Sequence, residues 1–112
     1  FDAAPFDNFG HSVAIWGDTA LVGAPADDHS GFSDAGAAYV YTRTGATWAF
    51  QHKFTSLAPG VDQYMGNAVA LSGAIALVAQ SSVDNIDPSD PGAVYAYSRS
   101  GATWSYETTL WP

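Results

Sequence analysis

The sequence has no cysteine, one methionine and only three cationic side chains, Arg43, Lys53 and Arg99, in 112 residues. The missing cysteines exclude disulfides and thiolate metal sites. Three cations against eleven carboxylates leave a net charge of −8. Nothing is available to neutralise a run of phosphates, so nucleic acid is excluded as a partner. An anionic membrane surface would repel the chain for the same reason. No apolar run approaches the ~20 residues that span a bilayer, so membrane insertion is not expected. A leader with a charged start and an apolar stretch is also missing. The first residue is Phe1 rather than Met, which reads as a processed chain or an excised segment. No window sustains a helical period, so essentially no helix is expected. An acidic composition poor in Lys fits an extracellular or cell-surface setting.

What is present is apolar and aromatic. Hydrophobic residues make up 47% and aromatic residues 14% of the chain, with eleven glycines. That mixture favours strands joined by tight turns. Internal repetition then decides the organisation. The segment Gly36-Ala-Ala-Tyr-Val-Tyr-Thr-Arg-Thr-Gly-Ala-Thr-Trp48 returns as Gly92-Ala-Val-Tyr-Ala-Tyr-Ser-Arg-Ser-Gly-Ala-Thr-Trp104, 56 positions later. The same shift relates Phe9-Gly10 to Met65-Gly66 and Ala20-Leu21-Val22 to Ala76-Leu77-Val78, with no gap. The chain is therefore two units, 1–56 and 57–112.

Each unit reads as four strands. In the first, Ser12 to Trp16 leads through Gly17-Asp18, a pair suited to a hairpin, into Thr19 to Ala24, which Pro25 stops. A polar loop, Ala26 to Ala35, precedes Ala37 to Arg43 and Thr47 to Phe54. The second unit repeats this over Ala68 to Leu71, Ile75 to Gln80, Ala93 to Arg99 and Thr103 to Leu110. Both faces of these strands are apolar, whereas a sheet with one wet face alternates apolar with polar. Each sheet should therefore be covered on both sides. The expected fold is all-β, two tandem four-stranded antiparallel blades of a β-propeller.

At these residues the chain resembles the FG-GAP repeat family, in its short bacterial form. The first unit carries Phe9-Gly10, Gly23-Ala24-Pro25 and Gly36-Ala37-Ala38-Tyr39-Val40-Tyr41. The second has drifted to Met65-Gly66 and Ala79-Gln80-Ser81, and keeps Gly92-Ala93-Val94-Tyr95-Ala96-Tyr97. The resemblance implies propeller blades like those in the head of integrin α chains, used mostly in adhesion and in binding proteins or glycans. Integrin-type repeats also carry a calcium loop between their first two strands. Here those connections are only Gly17-Asp18 and Ser72-Gly73-Ala74, so that site does not carry over.

The candidate sites lie in loops and on unrepeated aromatics. Asn85, Asp87 and Ser89 have the alternate spacing of a calcium loop, without the following Gly or the distal bidentate Glu. The plainer reading of both acidic loops is a solvated loop whose Asp and Asn cap turns. His29 beside Asp27 and Asp28 offers a scattered zinc site, against the plainer reading of a loop histidine. Trp16, Phe32 and Tyr64 do not recur, and with Asp27, Asp28 and His29 they form the candidate binding surface. Tyr39, Tyr41, Tyr95 and Tyr97 recur and read as core. Trp48 and Trp104 recur after a turn and read as pins for the outer strand. No nucleophile elbow, HExxH or P-loop appears, so no enzyme is expected.

Two blades do not close a propeller, which takes about four to eight. The missing blades are expected from identical chains or from a longer parent chain. The leading function is a non-catalytic extracellular module for protein or glycan interaction. The alternatives are a self-assembling surface fibre and a multivalent lectin. No cofactor is required, with calcium as the one candidate ion.

Overall fold

A computed structural model describes residues 8–27, 34–56, 63–81 and 92–112. They form eight strands, β1 (Ser12–Trp16), β2 (Thr19–Ala24), β3 (Ala37–Thr44), β4 (Thr47–Thr55), β5 (Val69–Ser72), β6 (Ile75–Gln80), β7 (Ala93–Ser100) and β8 (Thr103–Leu110). Pairing is sequential and antiparallel, giving two four-stranded sheets in the orders β1-β2-β3-β4 and β5-β6-β7-β8. These are two blades of the kind expected, with no helix among the described residues. Observed strand ends differ from the expected ones by one residue: β3, β4 and β7 each run one further, and β5 starts and stops one later. Ladders extend until side chains stop packing, a limit that sequence locates poorly.

One regular feature escapes the sequence pattern. The β3–β4 register shifts between Val40 and Tyr41, and the β7–β8 register shifts at the matching place, between Ala96 and Tyr97. Each shift leaves one extra residue, Gln51 in β4 and Glu107 in β8, which are 56 positions apart. A bulge of this kind bends its strand and re-aims a side chain.

The blades pack face to face. Leu21, Val40 and Phe54 of the first meet Ala76, Val78, Tyr97 and Trp104 of the second in one buried cluster, with Met65 among them. Phe54 stacks on Tyr97 at 4.0 Å between ring centroids and meets Trp104 edge-on at 5.5 Å. Such ring pairs contribute about 0.5–1.5 kcal/mol beyond the area they bury. Polar contacts fix the register of the joint. The Trp104 Nε1–H donates to Gln51 Oε1 at 2.8 Å, so the bulge aims its amide across the interface. Arg99 donates to Thr19 Oγ1 at 2.9 Å, and Ser12 Oγ donates to the Gly66 carbonyl at 2.9 Å.

Backbone also meets backbone here. Gly36 forms a parallel bridge with Met65, whose N–H donates to the Ala35 carbonyl at 3.0 Å. A Cβ on Gly23 would overlap the Gly66 carbonyl oxygen, and one on Gly36 would overlap the Met65 backbone. Gly23 of Gly23-Ala24-Pro25 and Gly36, just before β3, thus form a groove into which the second unit's Met65-Gly66 fits. Glycine is required by close approach, whatever the turn chemistry.

Candidate functional site

The repeat makes a comparison possible inside one molecule, because matched residues share a strand position and differ in what covers them. Trp104 is 8% exposed and Trp48, its counterpart, is 41% exposed. Phe54 is 3% exposed and Leu110, at the same strand position, 48%. Leu21, Val40, Ala76 and Val78 are buried, while Leu77, Ala96, Ala20 and Val22 are half-buried. The two sheet faces that meet are sealed, whereas on the outer face of the first blade only the end at Ala24, Ala37 and Tyr39 is buried. Two open faces result. The head face belongs to the first blade and centres on Ala20, Val22, Tyr41 and Trp48, with Phe9 edge-on to Tyr39 at 5.4 Å and to Tyr41 at 6.1 Å. The tail face belongs to the second blade and centres on Leu77, Val94, Ala96 and Leu110, the counterparts of the buried Leu21, Ala38, Val40 and Phe54.

Trp48 and Trp104 are therefore not equivalent pins, as the repeat suggested. Each ring does lie near an arginine, Arg43 at 5.5 Å and Arg99 at 5.3 Å. Arg43 is also held by Asp18, at 2.9 Å from its carboxylate. The second unit has Ala74 in place of Asp18, and there Arg99 reaches across to Thr19 instead.

Among the candidate residues, Trp16 is 52% exposed at the far end of β1. Tyr64 is exposed at the opposite end of the first blade, where its N–H donates to the Asp34 carbonyl at 3.0 Å. The β1 length separates them by about 13 Å at ~3.3 Å per residue, so one small ligand does not reach both. Asp27 corrects the expectation of a solvated loop acid: it is only 2% exposed. Its carboxylate accepts from Tyr39 Oη at 2.8 Å and lies 2.9 Å from Lys53 Nζ. Lys53 also sits over the Tyr39 ring at 5.2 Å. Burying a carboxylate is costly unless it is paired, and here a cation and a hydroxyl satisfy it. This three-residue knot fastens the start of the β2–β3 loop and offers nothing to a surface partner. Sequence reading missed it because Lys53 lies 26 positions away, across the sheet from Tyr39. The second unit has Val83 and Thr109 at the two positions, uncharged together, a signal that an alignment of the units could have supplied.

Asp28, His29 and Phe32, and the calcium candidates Asn85, Asp87 and Ser89, lie outside the described residues. Among the described residues no group of three or more His, Asp or Glu side chains converges on a common point. No helix among them is long and apolar enough to cross a membrane. Burial pushes the Tyr41 and Tyr97 hydroxyls up, with Tyr95 and Tyr106 adding to the effect on Tyr97, so both phenols stay neutral at ordinary pH. Burial pushes His52 below the usual histidine range.

Residues 1–41 match the family model described as FG-GAP repeat. The first unit matches an FG-GAP repeat. The match ends within β3, and the second FG-GAP-like unit reproduces the same four strands, register shift and turn positions 56 residues on. A comparison with curated proteins finds no match. The FG-GAP assignment and the paired four-stranded sheets give a β-propeller-type module. Within it, the groove of Gly23 and Gly36 seats Met65-Gly66, the residues that stand where the first FG-GAP unit has Phe9-Gly10.

Proposed function

We propose that this chain is a non-catalytic extracellular β-propeller module that serves protein or glycan interaction and adhesion, completed by further blades from identical chains or a longer parent chain. The observation that carries this reading is the pair of open apolar faces. The blade joint seals Phe54 and Trp104, and leaves their counterparts Leu110 and Trp48 in water. Contiguous apolar faces of this kind mark interaction surfaces. The FG-GAP assignment supports a scaffold without catalytic machinery and is in keeping with a setting outside the cell. The segments between β2 and β3 and between β6 and β7 differ in sequence between the units far more than the strands do, as specificity-bearing loops on a rigid scaffold do.

The experiment is the mass of the purified chain in dilute solution, by light scattering after size exclusion, first with calcium and then with chelator. Closed trimers or tetramers, giving six or eight blades, are the expected outcome for a self-completing module. An unfolded or aggregating monomer assigns the missing blades to a longer chain. A stable, folded monomer sinks the claim that the outer faces need covering. A second reading, a structural fibre subunit, is favoured by the two faces being different surfaces, since head-to-tail contacts that fail to close give filaments. Particles growing without limit identify it. A lectin would need sites repeated in both units, and a glycan panel tests that.

A further inference from the structure

We propose that the tail face of one chain receives the head face of a second copy, in the register in which the two blades of one chain already meet, and that Ala79 is the residue that weakens this joint. The inference rests on the reading that further blades cover the outer faces, and it names the covering blade as another copy.

The internal joint is the template. Its tail-side positions are filled by Leu21 and Phe54 and its head-side positions by Tyr97 and Trp104. Shifted by 56 residues, the tail side becomes Leu77 and Leu110 and the head side becomes Tyr41 and Trp48. All four replacements are apolar or aromatic, and all four are partly or fully exposed. Trp48 Nε1–H would face Glu107, the bulge residue that corresponds to Gln51. A carboxylate accepts that bond at least as well as an amide oxygen. Glu107 is exposed and already accepts from Ser98 Oγ, with acceptor capacity left over.

The seat for the incoming strand is also present. A cavity of about 430 Å³ at the open end of the second blade is lined by Ala79, Gly92, Leu110 and Trp111 among others. Ala79, Gly92 and Leu110 correspond to Gly23, Gly36 and Phe54, the groove that holds Met65-Gly66. Its occupant would be Phe9-Gly10 of the second copy, which holds the matching place at the edge of the head face. Two departures loosen this copy of the joint. Ala79 carries the methyl group that, at Gly23, would overlap the incoming carbonyl oxygen. The Gly10 carbonyl therefore stands off. Ile75 replaces Thr19, so the hydroxyl that Arg99 uses inside the chain has no counterpart for Arg43.

The test uses the whole chain and variants at exposed positions. Trp48→Glu blocks the head and Leu110→Glu blocks the tail. Each variant is checked for native-like circular dichroism and its mass is followed against concentration by sedimentation. Each blocked variant alone is expected to stay monomeric, and an equal mixture to form a one-to-one dimer through the one intact pair of faces. Ala79→Gly is expected to lower the concentration for half-association roughly tenfold, equivalent to ~1.4 kcal/mol. If the wild type associates while the mixture stays monomeric, the proposal fails and the reading of covered faces stands. If Ala79→Gly leaves association unchanged or weaker, the proposed register is wrong. A wild type that is monomeric and poorly folded overturns the second copy and leaves a longer chain as the source of blades. A wild type that is a stable monomer overturns both.

Discussion

Tyr64 has φ of 57°, a left-handed conformation that a bulky residue adopts only at a cost. Asn8, 56 positions earlier, has φ of 59° and closes the same turn: the His11 N–H donates to the Asn8 carbonyl and the Asn67 N–H to that of Tyr64. Asn is suited to this conformation and Tyr is not. Tyr64→Asn should therefore raise stability by about 0.5–1 kcal/mol, read as a higher urea midpoint at unchanged slope. Strain held at an exposed aromatic is a known mark of functional positions, so the same variant belongs in any ligand screen. A gain in stability accompanied by a loss of binding would assign Tyr64 to the contact surface. The Asp27–Tyr39–Lys53 knot makes the opposite prediction. Lys53→Met leaves a buried carboxylate without its cation and should cost about 3 kcal/mol. The double change Asp27→Val with Lys53→Thr, which installs the residues of the second unit, should cost clearly less than the two single changes summed. Additive costs in that double-mutant cycle would refute the coupling.

At the scale of the element, β4 shows how one strand serves two purposes. Its bulge turns Gln51 toward Trp104 of the neighbouring blade, while His52 and Phe54 face the joint with rings 4.8 Å apart. Burial holds His52 below the ordinary histidine value, so the folded state favours the neutral ring. The unfolded chain takes up its proton near pH ~6.5. The contribution of His52 is thus present above that pH and is lost as pH falls from it toward the lower folded value. The melting temperature should drop over that window, and His52→Thr, the residue found at position 108, should flatten the drop. An unchanged profile in the variant would place the acid sensitivity elsewhere.

For the whole molecule, like charge opposes assembly. Every copy carries a net charge of −8, and exposed charges act over a screening length of about 10 Å at 0.1 M salt. Burying the two apolar faces favours association and the acidic surfaces resist it. Self-association should strengthen as sodium chloride rises from about 0.05 to 0.5 M, because salt screens the repulsion without weakening apolar burial. Sedimentation at fixed protein concentration checks this. Weakening with salt would mean that ion pairs hold the copies together.

The fold was legible because its signals are local. The 56-residue echo, the stops at Pro25 and the turn glycines, and the two-sided apolar pattern define the eight strands within one residue at each end. The candidate site was legible only in part. Trp16 and Tyr64 are exposed, but Asp27 is buried, because its partner Lys53 comes from a strand that sequence distance does not place beside it. The register shifts at Gln51 and Glu107 were hidden as well, since an extra residue in a ladder leaves no mark in an apolar pattern. By itself, then, the sequence determined that this chain makes two like blades with apolar faces on both sides. Which faces are sealed and which stay open was decided by tertiary packing alone. Trp48 and Trp104 both end an identical Gly-Ala-Thr-Trp turn, and a side chain's burial depends on the blade that lies against it, which no neighbour in the chain specifies.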